Sequence, residues 1–377
     1  MDTRDQFPSG VTKVKIEELV RKEILGLPLY EAGSILPRKL DEKVTRLDLN
    51  ENFAVAGDIV GKLLLEVCQD VDVRLYPPLY GAMAVKAISE FFGFSESEIF
   101  VGNGVDGVLD SLMKVFVKKE SKVLVVEPTF PLYAYFTQLY GGKKVTVLLR
   151  PNFELDVDGM LEKCDEQISL FIICSPNNPT GNQFKKEDLE KILREFKGVV
   201  VVDEAYVDFA KYTVIDWTRK FENLVVLRSF SKSFGLAGIR AGFLVSNKSI
   251  AEYVKRVTNP FEINIVTQRL IALALQNWNY FQQRIKYIIK EREWLRDALA
   301  KTDGVTPYPS DANFILFKIT KDNLSSSTVK EKLESRDVLV KDRSNLPLLE
   351  NCIRVTVGTR SMNETFVSAL KDALEEQ

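Results

Sequence analysis

The sequence contains no histidine among its 377 residues. Serine and cysteine catalytic triads, histidine-ligated zinc sites and HExxH metalloproteases all require an imidazole, so the composition excludes these mechanisms. Any acid–base chemistry must therefore depend on lysine, aspartate, glutamate, tyrosine or a cofactor.

Cysteine is also scarce, and no two cysteines form a CxxC pair. The four cysteines are Cys68, Cys164, Cys174 and Cys352. Their wide spacing argues against both a disulfide framework and a zinc site. We expect all four to be reduced and packed, and we expect no bound metal.

Neither a strong net charge nor a long hydrophobic run is present. The net charge is −2 with both signs interspersed, which argues against a nucleic-acid or polybasic membrane surface. The longest apolar runs, such as SLFIIC and KGVVVV, are too short to cross a bilayer or to form a signal-peptide core. We therefore expect a cytoplasmic protein that binds small molecules, with no nucleic-acid or membrane partner.

What the chain does contain is a series of short β-branched runs that alternate with helical patterns between residues 98 and 247. Most of these runs are continuously apolar, which is typical of strands buried on both faces of a mostly parallel sheet. The runs are EIFVG, KVLVVEP, KKVTVLL, SLFIICSP, GVVVVDEAY, NLVVLRSFS and AGFLVSN. The pattern predicts an α/β domain.

The length of the chain favours two domains. A helix with apolar residues from Phe281 to Leu299 is expected to lead into a smaller α+β domain, with strands near ANFILFKI, VLVKD and CIRVTVG. We predict a large domain at residues 46–270. Residues 1–45 and 271–377 would form an N-terminal arm and the small domain.

Polar and glycine-rich stretches follow the predicted strands of the large domain. Ligands of parallel sheets bind outside the carboxyl ends of the strands, so these stretches are expected to converge on one site. They are GNGVDG, PTFPLY, SPNNPTG, DEAY and SFSK.

Lys232, in SFSKSFGLAGIR, is the candidate nucleophile, because a desolvated lysine amine can bind an aldehyde cofactor covalently. Ser229, Ser231 and Arg240 are donors that a phosphate on such a cofactor would require. The backbone N–H groups of Gly104, Val105 and Asp106, at a predicted helix start, could bind the same anion. Taken singly, each of these features also fits a surface lysine, a strand end or an ordinary turn.

Other residues could contact the ring of such a cofactor. Asp203, at the end of an apolar strand, could keep a pyridine nitrogen protonated. Asn178 and Tyr206 could bind a phenolic oxygen of the ring, and either Phe130 or Tyr133 could stack on it, although turn formation and core packing explain these residues equally well. Arg354 lies in an apolar strand, where a buried guanidinium needs an anion as its partner.

The motifs SPNNPTG, DEAY and SFSKSFGLAGIR resemble those of the pyridoxal-phosphate-dependent aminotransferases of class I/II, which have fold type I, in the same order and over nearly the whole chain. The resemblance implies that Lys232 holds pyridoxal 5′-phosphate and moves a proton, and that Asp203 pairs with the pyridine nitrogen. It further implies a homodimer with shared active sites, in which Tyr76 of RLYPP reaches the partner's cofactor. Arg354 would bind the acidic group of the substrate, supported by Asn313.

Within this superfamily, LDLNENF, RLYPP, PTFPLY and DANFILF resemble the histidinol-phosphate aminotransferases. That resemblance implies transfer of an amino group from L-histidinol phosphate to 2-oxoglutarate in histidine biosynthesis, with Tyr30, Lys341 and Arg354 around the substrate phosphate. Two positions depart from the pattern. Lys341 stands where many relatives have arginine, and lysine keeps the charge but lacks the bidentate fork of arginine. Glu262 of PFEIN stands in place of an asparagine and could alter substrate choice.

Four other functions are alternatives to this one. An aromatic or other amino-acid aminotransferase and a threonine-phosphate decarboxylase would use the same scaffold. A pyridoxal-phosphate-dependent transcription regulator would need a DNA-binding domain, for which the residues before LDLNEN show no basic recognition helix. A dehydrogenase would need the GxGxxG fingerprint, and VGNGVDG lacks its full spacing.

Overall fold

The computed structural model describes residues 15–29 and 44–376. Its strands are, in chain order, β1 (Thr45–Arg46), β2 (Ile99–Asn103), β3 (Lys122–Glu127), β4 (Lys143–Leu148), β5 (Ile168–Cys174), β6 (Val199–Asp203), β7 (Leu224–Ser229), β8 (Ala241–Ser246), β9 (Val305–Pro307), β10 (Phe314–Ile319), β11 (Val338–Leu339), β12 (Lys341–Asp342) and β13 (Cys352–Thr356).

The helices are, in chain order, α1 (Ile16–Leu19), α2 (Lys22–Leu25), α3 (Gly57–Asp70), α4 (Ala82–Phe92), α5 (Gly104–Phe116), α6 (Leu132–Leu139), α7 (Val157–Glu162), α8 (Lys186–Glu195), α9 (Lys248–Arg256), α10 (Ile265–Gln276), α11 (Trp278–Ala300), α12 (Ser326–Glu334) and α13 (Arg360–Glu375). Within the described residues, no helix is long and apolar enough to cross a membrane.

Seven strands form the central sheet, in the order β2-β8-β7-β6-β5-β3-β4. The pairs among β7, β6, β5, β3 and β4 are parallel, and β8 is antiparallel to both of its neighbours. Strand β2 therefore runs in the same direction as β7, and its carboxyl end lies at the same edge of the sheet. The predicted mostly parallel α/β sheet is confirmed.

The continuous apolar runs arise because both faces of this sheet are covered. In β6, Val200 and Val202 belong to one hydrophobic cluster, while Val201 belongs to another. Successive side chains of a strand point to opposite faces, so the two clusters are the layers on either side of the sheet. An apolar side chain is therefore needed at every position of the strand.

A second sheet has the order β12-β13-β10-β9 and is antiparallel throughout. It packs against α11 and α13 in a separate hydrophobic cluster. Strand structure occurs at VLVKD as predicted, but the segment is divided between two partners. Its first half, β11, pairs in parallel with β1, and its second half, β12, pairs with β13.

The proposed domain division stays a prediction, and two features bear on where it would fall. Strand β1 pairs with β11, which ties residues 45–46 to the second half of the chain. The predicted boundary at residue 270 falls inside α10, which packs against α3 and α4. Helix α10 buries Ile271 and Leu273 in the core of the large sheet.

Candidate active site

A cavity of about 370 Å³ lies at the carboxyl edge of the seven-stranded sheet, where it meets the second sheet. The loops after β2, β3, β5, β6 and β7 all reach it, as the strand-end rule predicts. It is lined by Asp48, Leu49, Asn50, Glu51, Val105, Asp106, Phe130, Pro131, Tyr133, Cys174, Asn178, Asp203, Ala205, Tyr206, Ser229, Ser231, Lys232, Ala237, Arg240, Lys341, Arg343 and Arg354.

Lys232 follows β7 and lines this cavity. Its Nζ donates a hydrogen bond to the carbonyl oxygen of Leu49 at 3.0 Å. Burial, and secondarily the positive charge of Arg354, lowers the pKa of Lys232 to about 8. The neutral, nucleophilic fraction of this amine near neutral pH is therefore much larger than that of an ordinary lysine.

Asp203 ends β6 and is only 4% exposed. Its Oδ2 accepts the hydroxyl of Tyr133 at 2.6 Å, and its Oδ1 accepts the backbone N–H of Ala205 at 3.0 Å. Burial raises the pKa of Asp203 to about 6, against the effect of both hydrogen bonds. A carboxylate held in this way is positioned to attract a cationic ring nitrogen.

The two aromatic residues of PTFPLY have different surroundings. Tyr133 is fully buried, and its hydroxyl bonds to Asp203. Phe130 is only partly buried and packs edge to face on Tyr133, with ring centroids 5.7 Å apart. Phe130 is therefore the aromatic wall better placed to stack on a planar ligand, while Tyr133 orients the carboxylate.

Tyr206 lines the cavity and is held by a residue that the sequence analysis did not select. The Nδ2 of Asn50 donates to the Tyr206 hydroxyl at 3.1 Å, and burial raises the pKa of Tyr206.

Asn313 does not line the cavity. It is fully buried behind Asn50, to whose carbonyl oxygen its side chain donates at 3.0 Å. The expected role of Asn313 in supporting Arg354 and binding substrate stays a prediction; the hydrogen bond that the structure gives its side chain goes to the backbone of Asn50.

One end of the cavity, here called the α5 end, is rich in hydrogen-bond donors. Ser229, Ser231 and Arg240 line it beside the first turn of α5. The Nη2 of Arg240 lies 2.9 Å from Oδ2 of Asp106. Gly104 has φ +76° and lies under the guanidinium, where a Cβ would be 2.6 Å from Nη2. Gly104 therefore allows this close approach without itself lining the cavity.

The opposite end, here called the β12–β13 end, carries three cationic side chains. Lys341 and Arg354 are directly opposite each other on β12 and β13, and Arg343 follows β12. Arg354 is 3% exposed; its Nη1 donates to Oδ1 of Asn178 at 2.7 Å, and its Nη2 donates to the carbonyl of Asp48. Burial, followed by the charges of Arg343 and Arg354, lowers the pKa of Lys341.

Like Asn313 and Gly104, the sequence-selected residues Tyr76 and Glu262 do not line this cavity. Tyr76 is 81% exposed, and its ring packs on Phe261 at a centroid distance of 4.8 Å. Glu262 contacts the start of α5 instead of the cavity, through the backbone N–H of Asn103. Tyr30 lies outside the described residues.

The residues that the sequence analysis missed come mainly from the loop after β1. Asp48, Leu49, Asn50 and Glu51 line the cavity together with Arg343 and Cys174. The motif LDLNENF already carried part of the family resemblance, so its polar residues were the available signal. Arg343 could have been suggested by its place two residues after Lys341.

Comparisons with known proteins agree with this geometry. Residues 46–370 match the family model described as aminotransferase class I and II. A histidinol-phosphate aminotransferase of Thermoanaerobacter pseudethanolicus is 37% identical over 361 residues, which cover 95% of this chain and 99% of the relative.

Two solved structures show the same fold. One is a histidinol-phosphate aminotransferase from Sinorhizobium meliloti in complex with pyridoxal 5′-phosphate, with a TM-score of 0.85, 23% identity, and coverage of 94% of this chain and 97% of the other. The other is an L-threonine-O-3-phosphate decarboxylase from Porphyromonas gingivalis, with a TM-score of 0.77, 23% identity, and coverage of 88% and 99%. Since the family model spans most of the chain and the curated relative covers nearly all of it, this chain belongs to the class I and II aminotransferases, whose cofactor is pyridoxal 5′-phosphate.

Proposed function

We propose that the protein transfers an amino group from L-histidinol phosphate to 2-oxoglutarate, forming imidazole acetol phosphate and L-glutamate in histidine biosynthesis. The observation that carries this proposal is the cluster of Lys341, Arg343 and Arg354 at the β12–β13 end. Three cations on one wall of a cavity suit a dianionic phosphate. The curated relative of 37% identity is named for this same substrate.

The chemistry of the α5 end fits pyridoxal phosphate. The hydroxyls of Ser229 and Ser231, the guanidinium of Arg240 and the first amides of α5 form a donor set for its phosphate. Asp203 would face the pyridine nitrogen and Lys232 the aldehyde carbon. When bound, the cofactor supplies an electron sink for negative charge that develops at the substrate's α-carbon.

The residues around the cofactor would divide the remaining work. Lys232 would hold the cofactor covalently. Once displaced by the substrate amine, it would move a proton between the substrate's α-carbon and the cofactor's aldehyde carbon. Its lowered pKa, about 8, leaves the amine free to act as a base. Tyr206, held by Asn50, and Asn178 would bind the phenolic oxygen of the ring.

The same three cations would serve both halves of the reaction. The anions that these cations would bind are the phosphate of histidinol phosphate, one CH₂–O unit from the reacting carbon, and a carboxylate of 2-oxoglutarate, which has one on the reacting carbon and one at its far end. Both anions would reach the β12–β13 end while Lys232 stays at the reacting atom. One site can therefore accept the two substrates in turn, as a ping-pong transfer requires.

We also propose a homodimer located in the cytoplasm. The exposed side chains of Val73, Leu75, Tyr76, Leu79 and Phe261 occur in two neighbouring segments. A second copy would cover this apolar surface, and Tyr76 would extend toward the partner's cofactor.

A threonine-phosphate decarboxylase is the second candidate, because its substrate also carries a phosphate that the same cations could bind. Purified protein with pyridoxal phosphate should be given histidinol phosphate, tyrosine, phenylalanine, aspartate or alanine as donor, with 2-oxoglutarate as acceptor. We expect glutamate to form fastest with histidinol phosphate. Release of carbon dioxide from threonine phosphate without use of a keto acid would contradict the proposal, as would a preference for another donor.

A further inference from the structure

Glu262, one of the two positions at which the sequence departs from the family pattern, lies against the start of α5. Its Oε1 accepts the backbone N–H of Asn103 at 3.4 Å. It also lies close to Gly107, where a Cβ would stand 3.2 Å from the same oxygen. Because Gly107 has no side chain, the carboxylate can approach the first turn of the helix closely.

This contact supplies a capping interaction that α5 does not provide for itself. In a capping box, the acidic residue at the third helical position accepts the backbone N–H of the residue before the helix. In α5 the third residue is Asp106, whose carboxylate instead pairs with Arg240 at 2.9 Å. The side chain of Asn103 makes no capping hydrogen bond either.

The same chain contains a local version of this interaction for comparison. Ser95 precedes a 3₁₀ turn at Glu96–Glu98, and Oε2 of Glu98 accepts the backbone N–H of Ser95 at 2.8 Å. There the acid comes from the third position of the turn itself. At α5 the acid comes from a segment that follows α9, more than a hundred residues later in the sequence.

The segment that carries Glu262 is itself fixed to the molecule. The backbone N–H of Glu262 donates to the carbonyl of Asn259 at 3.1 Å, and the carbonyl of Pro260 accepts the N–H of Tyr80 at 2.7 Å. The side chain is half-buried, and burial raises the pKa of Glu262 while the Asn103 N–H opposes that rise. The carboxylate is thus held in place by its own loop.

We infer that Glu262 is a positioning residue for the cofactor's phosphate: it caps α5 in place of Asp106, so that Asp106 can hold Arg240 while the helix start stays fixed. This inference rests on the proposed assignment of the Val105 and Asp106 amides to that phosphate. It replaces the expectation that Glu262 selects the substrate. Glu262 contacts Asn103 and the Gly107 position and is not among the residues that line the cavity.

The test compares the affinity of the apo protein for pyridoxal phosphate with its affinity for pyridoxal, which lacks the phosphate. The variants are Glu262→Ala and Glu262→Gln, with Glu98→Gln as the matched control at the other cap. For Glu262→Ala we expect affinity for pyridoxal phosphate to fall about three- to tenfold, as loss of one cap predicts. Glu262→Gln should fall less, because it keeps an acceptor oxygen. Affinity for pyridoxal should not change, and Glu98→Gln should alter neither.

Amide hydrogen exchange of the apo protein provides a second readout. Exchange at Asn103 and at the first amides of α5 should be faster in Glu262→Ala than in the wild type. Unchanged exchange there, or equal losses of affinity for both ligands, would overturn the inference. A wild-type protein that does not prefer pyridoxal phosphate to pyridoxal would instead contradict the proposed phosphate site. If the wild type has that preference and Glu262→Ala keeps it in full, the inference about Glu262 alone fails.

Discussion

The two ends of the cavity offer anions different kinds of groups. The α5 end combines hydroxyls, backbone amides and the guanidinium of Arg240 on loops that follow strands of the large sheet. The β12–β13 end presents three long cationic side chains, Lys341, Arg343 and Arg354, on the smaller sheet. Backbone amides at a helix start have fixed directions, which suits a ligand that stays bound, whereas separate side-chain cations can pair with either a phosphate or a carboxylate.

Lys232 and Asp203 also line the cavity, and their pKa values move toward pH 7 from opposite sides. Burial lowers the pKa of Lys232 to about 8 and raises that of Asp203 to about 6. A base and an acid of this kind in one cavity are typical of a catalytic centre. The following predictions test a division of the site into three parts. The α5 end would hold the cofactor, Lys232 and Asp203 would form the reacting centre, and the β12–β13 end would bind the two substrates in turn.

The largest effect is expected at the reacting centre. Lys232→Ala should lower the transamination rate by about 10²–10⁴-fold, because it removes both the covalent anchor and the base. It should also abolish cofactor attachment that survives reduction and denaturation, measured by mass spectrometry. Lys255→Ala is a matched control, since Lys255 is also partly buried with a lowered pKa but lies outside the cavity. Covalent attachment that persists in Lys232→Ala would assign the anchor to another lysine.

Asp203→Asn should be the next most damaging change. It keeps the shape of the side chain but removes the charge expected to face the ring nitrogen, so we expect kcat to fall roughly a hundredfold. Tyr133→Phe removes only the hydroxyl donated to Asp203 at 2.6 Å, and kcat should fall about tenfold or less. Equal kcat values for Asp203→Asn and the wild type would show that this charge does not act on the ring.

At the β12–β13 end, Arg354→Lys should mainly affect substrate binding. The change keeps the charge but loses the bonds to Asn178 and to the carbonyl of Asp48. We expect KM for histidinol phosphate to rise roughly ten- to a hundredfold, with a smaller change in kcat. Cofactor affinity, measured by absorbance titration, should fall much less than KM rises, because Arg354 contacts the cofactor-binding residues through Asn178. A loss of cofactor affinity as large as the rise in KM would mean that the two ends are not separate.

The pH dependence of cofactor capture tests the environment of Lys232. Only the neutral amine attacks an aldehyde, so the rate for the apo protein should follow deprotonation with a pKa of about 8. The neutral fraction rises from roughly a tenth at about pH 7 to roughly nine tenths at about pH 9, and the rate should then level off. Stopped-flow absorbance measures this rate. A rate that continues to rise steeply toward the ordinary lysine pKa of 10.5 would contradict the desolvated environment.

The same contrast explains how far the sequence could predict this site. The residues of the α5 end and the reacting centre follow strands in short motifs, and parallel strands end at a common edge. Lys232, Asp203 and Arg240 were therefore identifiable, together with the fold. Asn50 and Asp48 were missed because they reach the cavity only after β1 pairs with β11, a contact between distant parts of the chain. That pairing also divides VLVKD, which local propensity alone predicts as one strand.

Glu262 shows the same limit in another form. The family resemblance shows that Glu262 stands in place of an asparagine. The direction in which the Glu262 side chain points depends on how the loop after α9 packs against α5. Without that packing, an added carboxylate near the site suggests altered substrate choice. With it, the carboxylate lies over Gly107, outside the cavity wall.

The most direct test of the proposal that the cavity binds an anion at each end is a ratio of kcat/KM values. It compares L-histidinol phosphate with L-histidinol as donor, with 2-oxoglutarate as acceptor. The two donors differ only in the phosphate that Lys341, Arg343 and Arg354 are proposed to bind. Loss of charge-assisted hydrogen bonds predicts a ratio of roughly a hundred or more in the wild type, with a clear decrease in Arg354→Lys. A wild-type ratio near one, or one that Arg354→Lys leaves unchanged, would contradict the account.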